Sequence, residues 1–248
     1  MEIKVSKTAL KEIQEFRVLF LQENNFQFVY DKCHRYGWAD TYLFTLDGVK
    51  VGYAGIWGRN KREDRDAIFE FYIIKPYQKL AGIFFPELHA LSGATHIECQ
   101  SNDPLLTSQL YEHSQNIQAE AILFEDHFQT NFTIPGIHFQ KKIAEADSHP
   151  DDRAYLLQLN NEVVATGGLM LNYNIPYADI YYDVKASYRQ RGFGTFLIQE
   201  LKREAYLMGR VPSARCNINN RISKATLLKS GLRVCGYRIN GEINVRES

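Results

Sequence analysis

No stretch of the sequence approaches the roughly 20 apolar residues that a bilayer-crossing helix needs, so a helical membrane protein is not expected. Charge of one sign is missing too: 29 lysines and arginines stand against 29 aspartates and glutamates. A chain without a net field has no general means of holding a polyanion by counterion release, so nucleic acid is not an expected partner. Cysteine is scarce and scattered. Cys33, Cys99, Cys216 and Cys235 form no C-x-x-C pair and no short-range framework, which reads as reduced thiols in a cytoplasmic protein. His89, His96, His113, His127 and His138 include no close pair at metal-ligand spacing, so no metal is expected. Met1 to Glu15 alternates charged and apolar residues without an apolar run behind a basic start, so it does not read as a secretion signal.

What is present is enough apolar sequence for a sizeable core, 45% of residues with 13% aromatic, spread over 248 residues. That length suits two units of ordinary size better than one. A repeat supports the division. Tyr42 to Gly58 matches Tyr155 to Leu171 without a gap, each an apolar run, a two-residue turn and a second run rich in small residues. The turns are Asp47-Gly48 and Asn160-Asn161, residue types that tolerate positive φ and so suit a tight hairpin.

Similar elements follow each hairpin. In the second copy the periodicity predicts a strand over Ala178–Lys185, a helix over Gly192–Met208, a strand ending near Cys216, a helix from Asn220 to Gly231, and two strands, Arg233–Ile239 and Ile243–Arg246. In the first copy it predicts a strand over Ala67–Lys75, a helix over Lys79–Leu91, a strand His96–Gln100, a helix Leu105–His113 and a strand Ala119–Phe124, all preceded by a helix Thr8–Gln22. An acidic, turn-rich loop, Ala144–Asp152, lies between the copies. The expected division is 1–132 and 133–248.

Chemistry concentrates at Val184-Lys-Ala-Ser-Tyr188-Arg189-Gln190-Arg191-Gly192-Phe193-Gly194-Thr195, a glycine-flanked turn between a strand and a helix. The first turn of a helix leaves its N–H groups without intrahelical partners, and the helix dipole adds roughly half a positive charge there. An anion is the natural ligand. Gly192 and Gly194 allow a diphosphate close to the backbone, and Arg189 and Arg191 add full charges. The ordinary alternative is a glycine-containing connection with two surface arginines.

These residues resemble the cofactor loop of the GCN5-related N-acetyltransferase (GNAT) superfamily: Arg or Gln, two residues, Gly, one residue, then Gly or Ala. Arg189, Gly192 and Gly194 stand in those places. A second segment, Asn217 to Leu232 with Asn217, Asn220 and Ser223 before a helix ending Lys229-Ser-Gly231-Leu232, is similar to the family's next signature. The resemblance covers roughly Tyr155 to Ile239. It implies a fold of two GNAT-like α/β (α+β) units, each a mixed, mostly antiparallel sheet flanked by helices.

It further implies acetyl-CoA as cosubstrate, held by the backbone near Val184, by the loop from Arg189 through Gln190, Arg191, Gly192, Phe193 and Gly194 to Thr195, and by Asn217, Asn220 and Ser223. The acetyl group would pass directly to a primary amine of a small molecule or peptide. Asp183 is the first choice of general base and Asp179 the second, with Tyr181 on the same strand face by the period of two. Each carboxylate also has an ordinary reading as part of a polar strand face.

Two departures stand out. Where many family members carry a tyrosine four residues before the helix-ending glycine, this chain has Leu227, which leaves Tyr181, Tyr182, Tyr237 or unaided departure for the thiolate. The first copy keeps Ile74-Lys-Pro-Tyr77 but lacks the loop arginine and one glycine, so it reads as a degenerate unit that shapes an acceptor cleft or a homodimer surface. The rival reading is a non-catalytic acyl-CoA-binding regulatory protein. Cys216 beside the cleft reads as a packed thiol rather than a nucleophile, having no His and carboxylate pattern to activate it.

Overall fold

The computed structural model describes residues 1–23, 31–142 and 152–244. The chain divides into two compact units, residues 1–120 with 237–248, and residues 121–236. The sequence repeat therefore places the second half's opening at 133, whereas compactness assigns residues 121–132 to the second unit and the chain's last strand segment to the first.

In the first unit β1 (Ile3–Thr8) pairs with β2 (Ala39–Leu46), which turns into β3 (Val49–Trp57) and then β4 (Ala67–Ile73), all antiparallel. β4 runs parallel to β5 (His96–Gln100) through Ala67↔His96 and Ile68↔Ile97. The C-terminal part of β12 (Leu232–Ile243) closes the row antiparallel to β5, from Arg238↔Gln100 to Glu242↔His96. α3 (Ala81–Ser92) and α4 (Pro104–His113) bury one face through Phe84, Phe85, Leu88, Leu106 and Leu110, which meet Phe44, Phe71 and Ile97. α1 (Gln14–Glu23) covers the other face with Phe20 against Tyr53 and Tyr72.

Under α1 lies an ionic cluster. Arg17 donates to both oxygens of Glu70, at 3.1 and 2.9 Å, and to Asp31 at 2.8 Å, while His34 of α2 (Asp31–Arg35) sits 2.9 Å from Glu70. Burial alone would raise the Glu70 carboxyl, but Arg17 and His34 outweigh it and hold it at about 2.

The second unit has its own mixed sheet, in the order β6, β11, β10, β9, β8, β7. β6 spans Ser114–Asp126 and enters the unit at Ala121; β7 is Ile137–Lys141, β8 Asp152–Leu159, β9 Glu162–Met170, β10 Tyr177–Val184 and β11 Val211–Asn217. β10 and β11 are parallel, while the pairs β6–β11, β9–β10, β8–β9 and β7–β8 are antiparallel. α5 (Phe193–Leu207) and α6 (Arg221–Lys229) both lie on one face, where Leu197, Ile198, Leu201 and Leu227 are fully buried with Leu157, Val164 and Ala214.

Most predicted elements stand within two or three residues of their expected ends. Both hairpins form, and Asp47, Gly48, Asn160 and Asn161 take φ of 48°, 79°, 49° and 64°, the doubly positive turn that matches strand twist. Four readings need correction, the first being the strand expected over Ala119–Phe124, which runs from Ser114 to Asp126. The opening helix begins at Gln14, because Ile3–Thr8 pairs as a strand edge and Leu10–Glu12 forms a single 3-10 turn. The helix expected from Lys79 starts at Ala81, after a 3-10 stretch over Lys75–Leu80. The two closing strands are one, since Asn240-Gly241 does not turn: a Cβ on Gly241 would stand 2.9 Å from Ser114 and 3.0 Å from Leu110, so the glycine serves close packing. Arg246 and the loop read over Ala144–Asp152 lie outside the described residues, except that Asp152 opens β8.

Candidate functional site

β10 and β11 pair from Tyr177↔Val211 to Ile180↔Ala214, yet β10 runs on to Val184 and β11 to Asn217. Past Ile180 and Ala214 the strands part, and the unpaired edges face a gap. A short connection then leads from β10 to α5, through a 3-10 turn at Ala186–Tyr188 and two residues at positive φ, Gln190 at 61° and Gly192 at 86°. Gly192 is the N-cap residue of α5, and only a glycine takes that conformation without strain.

The first N–H to close on the helix is that of Phe196, 3.0 Å from the Gly192 carbonyl. Those of Phe193, Gly194 and Thr195 stand at the open end of the helix and point into the cleft that begins there. Gly194 has a different role from Gly192. A Cβ there would meet Thr226 at 3.2 Å and Tyr182 and Val184 at 3.5 Å, so the missing side chain lets α5, α6 and β10 close up around the cleft.

The cleft measures about 680 Å³. It is lined by Val184, Arg189, Gln190, Gly192, Phe193, Gly194, Thr195, Asn220 and Ser223, all expected cofactor residues, and by Asp183. Arg191, Asn217, Asp179 and Tyr181 are not on its walls. Arg191 instead lies over the rings of Tyr188 and Phe193, at 5.2 and 5.4 Å. Asn217 accepts from the backbone of Asn219 and shapes the turn into α6. Asn220 caps that helix by accepting from the N–H of Ser223 at 2.9 Å.

Arg189 folds back onto the end of β10, donating from Nε to the Val184 carbonyl at 2.9 Å with a terminal nitrogen 3.7 Å from Asp183. The Asp183 side chain is 74% exposed. Asp179, by contrast, is 1% exposed and lies 3.9 Å from Arg215, and Tyr181 is exposed on the same strand face.

Sequence reasoning passed over the wall that α6 supplies. Arg221, Ile222, Ala225, Thr226 and Lys229 all line the cleft, and their spacing of one, four, five and eight residues is a single helical face. With Arg189 they surround the cleft with three cations against the one carboxylate of Asp183. Tyr182 crosses the cleft floor to put its hydroxyl 2.9 Å from that of Ser223. Burial raises its phenol above the usual value, and hydrogen bonds from Ser223 and Thr226 act the other way. Cys216 and Leu227 belong to the core below, and burial pushes the Cys216 thiol up rather than activating it.

The corresponding place in the first unit differs. β4 and β5 also part after two pairs, but the cavity there is about 220 Å³ and its wall carries Glu23 and Asp103 with Phe20 and Tyr72. Tyr72 donates to Glu23 at 2.8 Å. Leu80, not glycine, precedes α3. Two acids and no open glycine turn are a poor fit for a diphosphate.

Among the described residues no helix is long and apolar enough to cross a membrane, and no group of three His, Cys, Asp or Glu could hold a metal ion.

Comparison with known proteins decides the lineage. A profile described as an acetyltransferase (GNAT) domain matches residues 9–127, and one described as the acetyltransferase (GNAT) family matches residues 118–231. The chain is a tandem GNAT protein. Its fold is shared with an acetyltransferase of the GNAT family from Colwellia psychrerythraea, at 12% identity and a TM-score of 0.77 over 98% of this chain and 100% of that one. A tandem GNAT protein from the clavulanic acid biosynthesis pathway superposes with a TM-score of 0.65 at 11% identity, covering 99% and 100% of the two chains. A GCN5-related N-acetyltransferase from Sphaerobacter thermophilus gives 0.59 at 12% identity over 98% and 96%. A search of curated proteins gave no significant match. Membership places this tandem GNAT protein among the acyltransferases, in a family that generally uses acetyl-CoA.

Proposed function

We propose that the second unit is an acetyl-CoA-dependent N-acetyltransferase acting on a primary amine of a small molecule or peptide. The observation that carries this reading is the open N-terminus of α5 behind the positive-φ Gly192, set against strands that part beside it. The residues fit the cosubstrate: first-turn N–H groups and the cations Arg189, Arg221 and Lys229 suit a diphosphate, and the parted edges of β10 and β11 suit an amide-bearing arm.

Acetyl-CoA supplies the acyl group activated as a thioester. The chain's work is to hold that ester and the amine in reach of each other, and to stabilise charge on the carbonyl oxygen with backbone donors at the fork. The attacking nitrogen loses a proton as its bond to the acyl carbon forms and the carbon–sulfur bond breaks. Asp183 is the carboxylate on the cleft wall and our choice to take that proton. Asp179, held beside Arg215, is the weaker candidate, and Tyr181 faces the same side.

The first unit, with its small acidic cavity, serves as a degenerate partner rather than a second cosubstrate site. A cytoplasmic location and a homodimer remain part of the same proposal.

The test is calorimetric titration with acetyl-CoA of the wild-type protein and of Gly192→Asp, followed by thiol release in an amine screen. Binding near one equivalent that the variant loses, with thiol release, supports the reading. Binding without thiol release favours an acyl-CoA-binding regulatory protein, a reading to which the burial of Leu227 in the core lends weight. No binding at all overturns both.

A further inference from the structure

The fork between β10 and β11 can be reached from two faces of the sheet, and one of them is filled. On the helix side, Ile180, Ala214, Cys216 and Leu227 are buried together beneath α5 and α6. An amine meeting an acyl group at the fork must come from the opposite face. Strand alternation puts Asp179, Tyr181 and Asp183 of β10 on that face, with Ser213 and Arg215 of β11.

Arg215 has a special place there. It is the first residue of β11 beyond the last paired position, Ile180↔Ala214, so it stands at the mouth of the fork. Its guanidinium is fixed from behind: one terminal nitrogen donates to the Tyr173 hydroxyl at 2.6 Å, and Nε lies 3.9 Å from Asp179. Both of those partners are 1% exposed, while the Arg215 side chain keeps 28% of its surface. A guanidinium oriented by buried neighbours and still reachable from outside is built to take a planar anion in a two-pronged contact, at little ordering cost.

We propose that Arg215 anchors a carboxylate on the acceptor, so that the amine acylated at the fork belongs to the amino-acid class, with Tyr173 and Asp179 as positioning residues. This rests on the acyltransferase reading given above, and it narrows the acceptor from any primary amine to one that also bears a carboxylate.

The test uses product pairs, so it does not depend on turnover. A panel of N-acetyl amino acids, each matched with the amide that lacks its carboxylate, is titrated into the full-length protein with and without saturating CoA. At least one carboxylate member should bind about ten- to a hundredfold tighter than its match, the range set by a hydrogen bond to a charged group. That advantage should vanish in Arg215→Gln and shrink in Arg215→Lys. Tyr173→Phe, which keeps both charges, should lose part of it and serves if Arg215→Gln does not fold. Equal binding within every pair, no carboxylate member bound, or an advantage that is undiminished in folded Arg215→Gln or Arg215→Lys overturns the proposal. Failure of the acyltransferase reading looks different: CoA itself does not bind, and the carboxylate preference is then read from the CoA-free titrations alone.

Discussion

The hydroxyls of Tyr182 and Ser223 lie 2.9 Å apart, and this one contact ties β10 to the first turn of α6 across the floor of the cleft. Either oxygen can donate. Tyr182→Phe should cost about 0.5–1.5 kcal/mol of stability and weaken acetyl-CoA binding several-fold, because the cleft wall loses its cross-tie. Denaturant unfolding and calorimetry on the same preparation check both. Unchanged affinity would remove Tyr182 from the shaping of the site.

Gly194 yields a graded prediction. An alanine Cβ meets only side-chain atoms, at 3.2 to 3.5 Å, and the helix gains from losing a glycine, so Gly194→Ala should stay within about 1 kcal/mol of wild type. Gly194→Val adds two methyls against Thr226 and Tyr182 and should cost about 1–3 kcal/mol. Thermal unfolding of the pair measures the difference. Equal stability of the two would mean that the contact of α5 with α6 is looser than described.

Asp103 sets a pH dependence. It caps α4 by accepting from the Leu106 N–H at 3.2 Å, yet burial pushes its carboxyl up to about 7, with the Leu106 and Leu105 N–H groups working against that rise. A folded-state value above the unfolded one means that the folded protein binds the extra proton between the two, so the stability that Asp103 contributes is greatest below about pH 4 and falls as pH rises towards 7. Asp103→Asn keeps a capping oxygen and removes the titration. It should gain of order 2 kcal/mol at pH 8 and flatten the stability profile between pH 4 and 7, as read from urea melts across that range. A variant with the wild-type slope would assign the slope to other groups.

Lys202 is 2% exposed on α5 and reaches Asp126 at 2.8 Å, the Phe128 carbonyl at 2.7 Å, and the Ser230 and Gly231 carbonyls at 3.1 and 3.2 Å. It joins the end of α6 to the strap that leaves β6. Lys202→Met strands those acceptors in the interior and should cost about 3–5 kcal/mol. Limited proteolysis should then cut first between residues 127 and 136.

Much of this was legible in the sequence because local chemistry and tertiary structure agree. Asp47-Gly48 and Asn160-Asn161 announce their turns, and the spacing of Leu197, Ile198, Leu201 and Ala205 announces the buried side of α5. Other features depend on what lies far along the chain. Nothing near Arg17 tells of Glu70, and nothing near Asp179 tells of Arg215. Asn240-Gly241 carries the chemistry of a turn but is held straight by Leu110 and Ser114. The cleft-facing side of α6 was readable from the spacing of Arg221, Ala225 and Lys229, yet Ile222 and Ala225 interrupt that side as Leu227 and Leu228 interrupt the other, so apolar residues did not mark out one face.

The strand segment that completes the first unit, residues 237–243, follows the whole second unit in the sequence. During synthesis β5 must therefore wait with one edge bare while the whole second unit emerges and folds. The order of maturation runs against the order of the sequence: the second unit can assemble first, and the first unit is sealed only after the second has been made. A nascent chain halted before Tyr237 would carry an open sheet edge, the kind of surface that chaperones hold and that recruits other strands.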